Sequence, residues 1–294
     1  MNNELVVYVD GAYYPKSQAK ISVFDHGLLY GDGVFEGIRE YNGIVFKLKE
    51  HIDRLYRSAH AIMLKIPLTK EEMINAVVET LRKNKLKDSY IRLVITRGVG
   101  DLGLDPRKCP KPSVIIITDT ILLHVRGAKE NGITTMFSWV RRNPVDSTTQ
   151  EIKSLNYLNS VLAKIEANGN GVDEAICLES NGYIAEGVGE NIFIVKKGEI
   201  LTPPTSTGAL AGITAEVIEE IAAKLGLKLT VTNLTPFMLF TADEAFFTGT
   251  AMEMVPIREV NKRQIGTGRP GPVTKKIMAE FQKVIEDPNQ GVKI

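Results

Sequence analysis

Three times along this chain a dipeptide ending in glycine stands between two short apolar runs: Asn42-Gly43 in VFEGIREYNGIVFKL, Asn181-Gly182 in EAICLESNGYIAE and Lys197-Gly198 in NIFIVKKGEILTPP. A tight turn of this kind joins only antiparallel strands, because parallel neighbours need a crossover of a dozen residues or more. Antiparallel pairing is therefore imposed both near the start and past the middle. LVVYVDGAYY and KISVFDHG read as further strands of the first set. After them LKEHIDRLYRSAHAIM places Leu48, Ile52, Leu55, Ala59 and Ile62 on one helical face, and EEMINAVVETLRKNK does the same with Met73, Ala76, Val77, Thr80 and Leu81. The strands YIRLVIT (90–96) and SVIIIT (113–118) complete an α/β unit. Beyond it come the strand ITTMFSWV and a helix within IKSLNYLNSVLAKIEANGNG, whose Leu155, Leu158, Val161, Leu162 and Ile165 are expected to face a core. The two later hairpins follow, then a helix in ITAEVIEEIAAKLG stopped by Gly226, the strand KLTVTNL, a helical stretch over 237–242, the strand EAFFTG and a last helix within GPVTKKIMAEFQKVIE. The reading is α+β. With 294 residues, too many for one small core, it has two domains, 1–119 and 128–294, joined by a linker at 120–127.

Charge and cysteine usage narrow the function. Lys plus Arg (36) nearly cancel Asp plus Glu (35), so no broad field exists to hold a nucleic acid or an anionic membrane. The Met-Asn-Asn-Glu start lacks a basic, apolar leader, no run approaches a membrane span, and a cytoplasmic protein is expected. Cys109 and Cys177 form no CxxC pair, and His26, His51, His60 and His124 show no ligand spacing, so no metal is expected.

Several segments could carry chemistry. Gly98-Val99-Gly100-Asp101-Leu102-Gly103 spells GxGxxG after an apolar strand, but a dinucleotide site needs a helix to open there. The prolines of LDPRKCPKP argue for a loop instead. Lys153 has apolar neighbours, Ile152 and Leu155, and partly apolar surroundings favour a neutral, nucleophilic amine, although a lysine before a helix is ordinarily a solvated charge. Glu186, in IAEGVGEN, is placed to bind a protonated ring nitrogen or to be a plain turn acid. Gly212-Ile213-Thr214 opens a helix whose free N–H groups suit an anion, and Thr248-Gly249-Thr250-Ala251 ends a strand in small and hydroxyl residues. Arg54, on the polar face of its helix opposite Ile52 and Leu55, offers a guanidinium.

In order along the chain, SVFDHGLLYGDGVFEGIR (22–39), HIDRL (51–55), YIRLVITRGVGDLGLDPRK (90–108), IKSLNYLNSVLAKIEA (152–167), EGVGENIF (186–193), AGIT (211–214) and TGTAMEMVPI (248–257) resemble the fold type IV pyridoxal-phosphate enzymes, and most closely the branched-chain amino-acid aminotransferases. The similarity spans about residues 6–274. It implies a small N-terminal α/β domain, a larger C-terminal domain with a barrel-like β core, and a homodimer or higher homo-oligomer. It implies pyridoxal 5'-phosphate as cofactor, carried by Lys153 as a Schiff base. Glu186 would pair with the ring nitrogen and Tyr157 with the ring hydroxyl, while Arg54, the Ile213 and Thr214 amides and the Thr250 hydroxyl would take the phosphate. Tyr30 and Phe35 would form the side-chain pocket. Tyr90 and the Thr250-Ala251 segment would hold the α-carboxylate, and Arg92 with Arg39 the distal carboxylate of glutamate. The implied reaction is ping-pong transfer of an amino group from leucine, isoleucine or valine to 2-oxoglutarate. The KSLN string is shared with D-amino-acid aminotransferases, which stand as the alternative, with aminodeoxychorismate lyase third. Readings from other classes are a nucleotide-binding oxidoreductase and a silent cofactor-binding regulator. The segment 118–132 departs from the family pattern, leaving the role of His124 open.

Overall fold

Antiparallel pairing begins at once, with β1 (Val6–Val9) and β2 (Ala12–Pro15) closed by a turn at Asp10 and Gly11. The structure, a computed structural model, describes residues 4–120 and 127–294; His124 and the rest of 121–126 lie outside the described residues. The chain divides into two units, one holding the described residues up to 120 with 152–156 and 285–294, the other holding 127–151 with 157–284.

In the first unit the strand expected over KISVFDHG does not form. The chain loops and then makes the short helix α1 (His26–Tyr30), because the Asp25 carboxylate accepts from Gly27 N at 2.7 Å and from the Thr96 hydroxyl at 2.8 Å, which closes a helical turn locally. Next come β3 (Gly33–Tyr41), β4 (Ile44–Phe46), α2 (Leu48–Ala61), α3 (Lys70–Asn84), β5 (Tyr90–Thr96) and β6 (Ser113–Asp119). Thr69 and Glu72 form a reciprocal capping box at the start of α3. Strand alternation turns Val34 and Ile38 of β3 and Ile91, Leu93 and Ile95 of β5 toward Leu48, Ile52 and Leu55 of α2 and Met73, Val77 and Leu81 of α3. Each such buried aliphatic side chain contributes about 1.5–3 kcal/mol, so this layer holds the sheet flat against its helices. The opposite face of β3 and β5 carries Phe35, Arg39, Tyr90 and Arg92.

The GxGxxG segment is a loop followed by a 3-10 turn at Pro106–Lys108, not the start of a helix. Its glycines answer to packing. Gly98 has φ +89°, and a side chain on Gly100 would meet the Cys109 sulfur at 2.6 Å and His26 Nε2 at 2.7 Å.

The second unit runs α4 (Ala128–Asn131), β7 (Ile133–Phe137), α5 (Leu158–Gly169), β8 (Glu174–Leu178), β9 (Ile184–Gly187), β10 (Asn191–Lys196), β11 (Glu199–Thr202), α6 (Ile213–Lys224), β12 (Leu229–Val231), α7 (Pro236–Phe240), β13 (Glu244–Gly249), β14 (Glu253–Val260), β15 (Arg263–Gln264) and α8 (Pro272–Glu286). Its strands lie in the order β12-β11-β10-β13-β14-β7-β8-β9, with β15 on β14, a curled sheet filled by Ile192, Ile194, Phe247, Val255 and Ile257. Strand β14 sits mid-sheet despite Pro256. Its ladder to β7 begins only at Ile257, so the missing N–H removes no bond there.

Helix α5 corrects the sequence reading. Its buried face is Ser160, Ala163 and Ala167, small enough to lie close on β8, whereas Leu158, Val161, Leu162 and Ile165 are exposed by 43–69%. Residues 285–294 return to the first unit, where the last strand, β16 (Gly291–Lys293), pairs with β4 and completes the order β16-β4-β3-β5-β6-β1-β2.

Candidate active site

In the first unit the first half of β3 has β5 on one side and an edge on the other. Residues 153–155 cover that edge: Phe35 N donates to Lys153 O and Leu155 N to Gly33 O, both at 3.0 Å, with Val34 opposite Ser154. Lys153 thus precedes α5 and is also bonded to the edge of β3, and alternation about the Ser154–Val34 bridge turns its side chain to the Phe35 face. Its Nζ lies 4.7 Å from the centre of the Phe35 ring. Its backbone N donates to the Ser58 hydroxyl of α2 at 3.2 Å, tying strand and helix together at this residue.

On that same face Arg92 lies 4.7 Å over the Phe35 ring and donates to the Tyr90 hydroxyl at 3.1 Å. Arg39 stands opposite Tyr90 in the β3–β5 register. Phe35, Arg39, Tyr90, Arg92 and Lys153 are thus brought together. Tyr30 is exposed on α1, its ring edge-on to His26 at 5.1 Å.

Arg54 does not occupy a polar, solvated face. His51, Arg54 and Ser58, spaced three and four residues apart, form a buried stripe of α2 facing β3. Arg54 donates through Nε and Nη2 to the two oxygens of Glu36, each at 2.8 Å, and His51 Nδ1 lies 2.8 Å from Glu36 Oε2. Burial raises the proton affinity of Glu36, but the charge and hydrogen bonds of Arg54, then of His51, outweigh it and hold the carboxyl well below the usual range. Burial also pushes His51 down, against the pull of Glu36, so a neutral imidazole donates to a carboxylate. Glu36 and Ser58 went unremarked in the sequence and His51 was noted only for lacking ligand spacing; the polar spacing inside HIDRLYRS was the only sign of His51 and Ser58, and Glu36 had none.

In the second unit Glu186 is paired with Cys177 within β9 and buried, not a solvated turn acid. One oxygen lies 2.9 Å from Arg142 Nη2, and the other accepts from Leu210 N at 2.9 Å. Arg142 donates as well to Gly187 O and, at 3.1 Å, to the Ser160 hydroxyl. Burial disfavours its charge, yet the neighbouring Glu186 more than restores it, and the guanidinium titrates above its ordinary value. Nothing in the string Arg141-Arg142-Asn143-Pro144 separates the exposed Arg141 from the buried Arg142. Tyr157, at the start of α5, is close enough to act on Arg142 electrostatically.

The segment leading into α6 is held at Leu210 through both of its backbone groups. Leu210 N bonds Glu186, and Leu210 O accepts from Asn191 Nδ2 at 2.8 Å. Asn191 leaves no room for a side chain on Gly212. Gly212 caps α6 without any side-chain acceptor, so the first backbone N–H groups, at the buried Ile213 and Thr214, point out of an uncapped helix start. The half-buried Thr250 and Ala251 turn between β13 and β14, next to the strand pair Asn191–Thr248. In the second unit a buried carboxylate, an open helix start and a hydroxyl, and in the first a guanidinium and an amine, are the kinds of group that a phosphorylated pyridine carrying an aldehyde requires.

The chain matches the family model described as Amino-transferase class IV over residues 33–260. It is 54% identical over 280 residues to a Methanocaldococcus jannaschii protein, an alignment covering 95% of this chain and 96% of that one. A crystal structure of the Escherichia coli branched-chain amino acid aminotransferase superposes with a TM-score of 0.93 at 37% identity, covering 96% of this chain and 95% of that one. The branched-chain aminotransferase of Thermoproteus uzoniensis, a thermophilic archaeon, solved with norvaline, superposes with a TM-score of 0.90 at 39% identity, with 96% and 94% covered.

Proposed function

The chain belongs to the class IV aminotransferases and uses pyridoxal 5'-phosphate, and on that premise we propose that it transfers the amino group of L-leucine, L-isoleucine and L-valine to 2-oxoglutarate. The observation that carries this reading is Lys153, whose backbone is bonded into the edge of β3 and whose amine lies over Phe35 beside Arg92. A D-amino-acid aminotransferase is not favoured, since the similar proteins of known structure named above act, by their names, on branched-chain amino acids.

When bound, the cofactor supplies an aldehyde for the substrate amine and a ring that withdraws electrons from the substrate α-carbon. Lys153 would hold it covalently, and its freed amine would take the proton from the substrate α-carbon and carry it to the carbon that had been the cofactor's aldehyde. Arg54, the amides of Ile213 and Thr214 and the Thr250 hydroxyl bind the phosphate. Glu186, ionised, keeps the ring nitrogen protonated, and Tyr157 bonds the ring hydroxyl. Phe35 and Tyr30 line an apolar side-chain pocket. Tyr90 with Thr250 and Ala251 hold the α-carboxylate, and Arg92 with Arg39 receives the second carboxylate of glutamate. The exposed apolar stripe of α5 supports a homodimer, which sedimentation of the purified protein tests: a monomer at micromolar concentration would remove that part.

Lys153→Ala is the direct test. The wild-type protein should be yellow, lose its visible band to borohydride with the label on the peptide bearing Lys153, and convert to the amine form with L-leucine but not D-alanine. The variant should fold, bind the cofactor without covalent attachment and show no turnover. Turnover by the variant, or a wild-type response to D-alanine alone, would overturn the reading.

A further inference from the structure

Arg142 is among the largest wholly buried side chains of the protein, and no motif pointed to it. A buried guanidinium is expensive to desolvate unless it is paired and its remaining N–H groups are bonded. Arg142 meets that condition at its two terminal nitrogens, though not at Nε, which has no partner among the described residues; one terminal nitrogen grips the Glu186 segment at three points: the Glu186 carboxylate at 2.9 Å, Gly187 O and, at 3.4 Å, Val188 O. Its other terminal nitrogen is anchored on α5, to Ser160 Oγ at 3.1 Å and Asn159 Oδ1 at 3.4 Å. Its own backbone N is fixed to Leu178 O at 2.9 Å, beside the strand that pairs with β9. Arg142 thus cannot move without Glu186, and both ends of its fork are set by rigid elements.

We propose that Arg142 is a positioning residue for the transamination: it holds the Glu186 carboxylate ionised and in a single orientation, so that a pyridine nitrogen paired with Glu186 keeps its proton. This rests on the role given to Glu186 above. The physical reason is where a shared proton sits. Between a carboxylate and a pyridine in a buried site, the neutral pair of carboxylic acid and free base competes with the ion pair. A fixed guanidinium on the far side of the carboxylate stabilises only the ion pair. The second unit contains its own counter-example in Glu190, which burial and then the charge of Glu174 push up to about 8. Glu186 is less accessible still, and instead has Arg142 bonded to it. Besides Glu186, the charged or titratable groups acting on Arg142 are Cys177, Tyr157 and Glu190.

The experiment loads the holoenzyme with cofactor labelled with 15N at the ring nitrogen and reads its chemical shift. Wild type should give the pyridinium position. Arg142→Met should move it toward neutral pyridine and lower kcat about 100-fold, a loss of the size expected when a buried electrostatic partner is removed, with little change in KM for leucine. Arg142→Lys should recover much of the pyridinium signal, which a purely packing role would not require. An unchanged pyridinium signal in Arg142→Met overturns the inference. Glu186→Gln separates the two claims: if it too leaves the signal in place, the role of Glu186 has failed; if only Glu186→Gln moves the signal, Arg142 alone has been misassigned. Should Arg142→Met not fold, Ser160→Ala, which frees one end of the fork, should shift the signal part of the way and lower kcat several-fold. No change in either would refute the proposal.

Discussion

Each unit of this protein buries an arginine–glutamate pair, Arg54 with Glu36 and Arg142 with Glu186, and the two are built in opposite senses. In the first, Glu36 gives both oxygens to Arg54, and one of them also to His51. In the second, Glu186 divides its oxygens between Arg142 and the backbone N–H of Leu210. The first glutamate is consumed in aiming its arginine, the residue proposed to take phosphate. In the second pair the arginine is consumed in holding its glutamate, the residue proposed to meet the ring nitrogen. A buried ion pair contributes little net stability against an apolar pair of the same volume, but losing one partner leaves the other charge stranded. Such pairs are therefore better read as devices that fix one working group than as struts.

The most damaging way to break this contrast is Glu36→Leu. With Arg54 left uncompensated, urea unfolding should show a loss of about 3–5 kcal/mol. Because the guanidinium is no longer aimed, the cofactor should dissociate more readily, seen as a faster loss of the yellow band on dilution. Retention of the cofactor at wild-type strength would mean that Glu36 does not aim Arg54.

A smaller effect is pH dependence, and its sign differs between the units. The folded-state values of Glu36 and His51 are depressed. Stability from them is present above their unfolded values, about 4.3 and 6.5, and is lost as pH falls below these toward the folded ones. The folded value of Glu190 is raised to about 8. Its contribution is full below about pH 4.3 and is lost as pH rises through about 8. Urea midpoints taken over a range of pH from acid to alkaline should therefore show His51→Asn flattening the acid limb and Glu190→Gln the alkaline limb. If Glu190→Gln leaves the alkaline limb unchanged, Glu190 is not the group responsible.

The mildest change, Ser58→Ala, deletes one hydrogen bond to the Lys153 backbone and should lower stability by about 1 kcal/mol. Turnover should fall more than that figure alone would suggest if Ser58 positions Lys153. Equal losses for Ser58→Ala and for a control such as Thr80→Ala, whose hydroxyl bonds its own helix, would assign Ser58 to stability only.

Much of the first unit was legible because its signals are local. The hairpin at Asn42-Gly43 and the helical faces of Leu48, Ile52 and Leu55 and of Met73, Val77 and Leu81 depend on residues close together along the chain. Helix α5 misled because an apolar stripe is silent about which side meets the sheet. Ser160, Ala163 and Ala167 win since only small side chains let the helix approach β8 closely. The strand at KISVFDHG lost to the side chain of Asp25, whose decisive partner, Thr96, lies 71 residues away. Strand β14 was hidden by Pro256, tolerable only where the neighbouring ladder has not yet begun.

The sequence by itself determined most of the kinds of element and, through ordered motifs, the family to which the chain belongs. Periodicity, turn dipeptides and residue type are properties of short stretches of chain. Only the tertiary structure decided that Lys153 is bonded to the edge of β3, that Arg54 is clamped by Glu36, and that Arg142 rather than Arg141 backs Glu186. Those outcomes join residues far apart along the chain, and a charged side chain carries no mark of its partner until folding removes water from both.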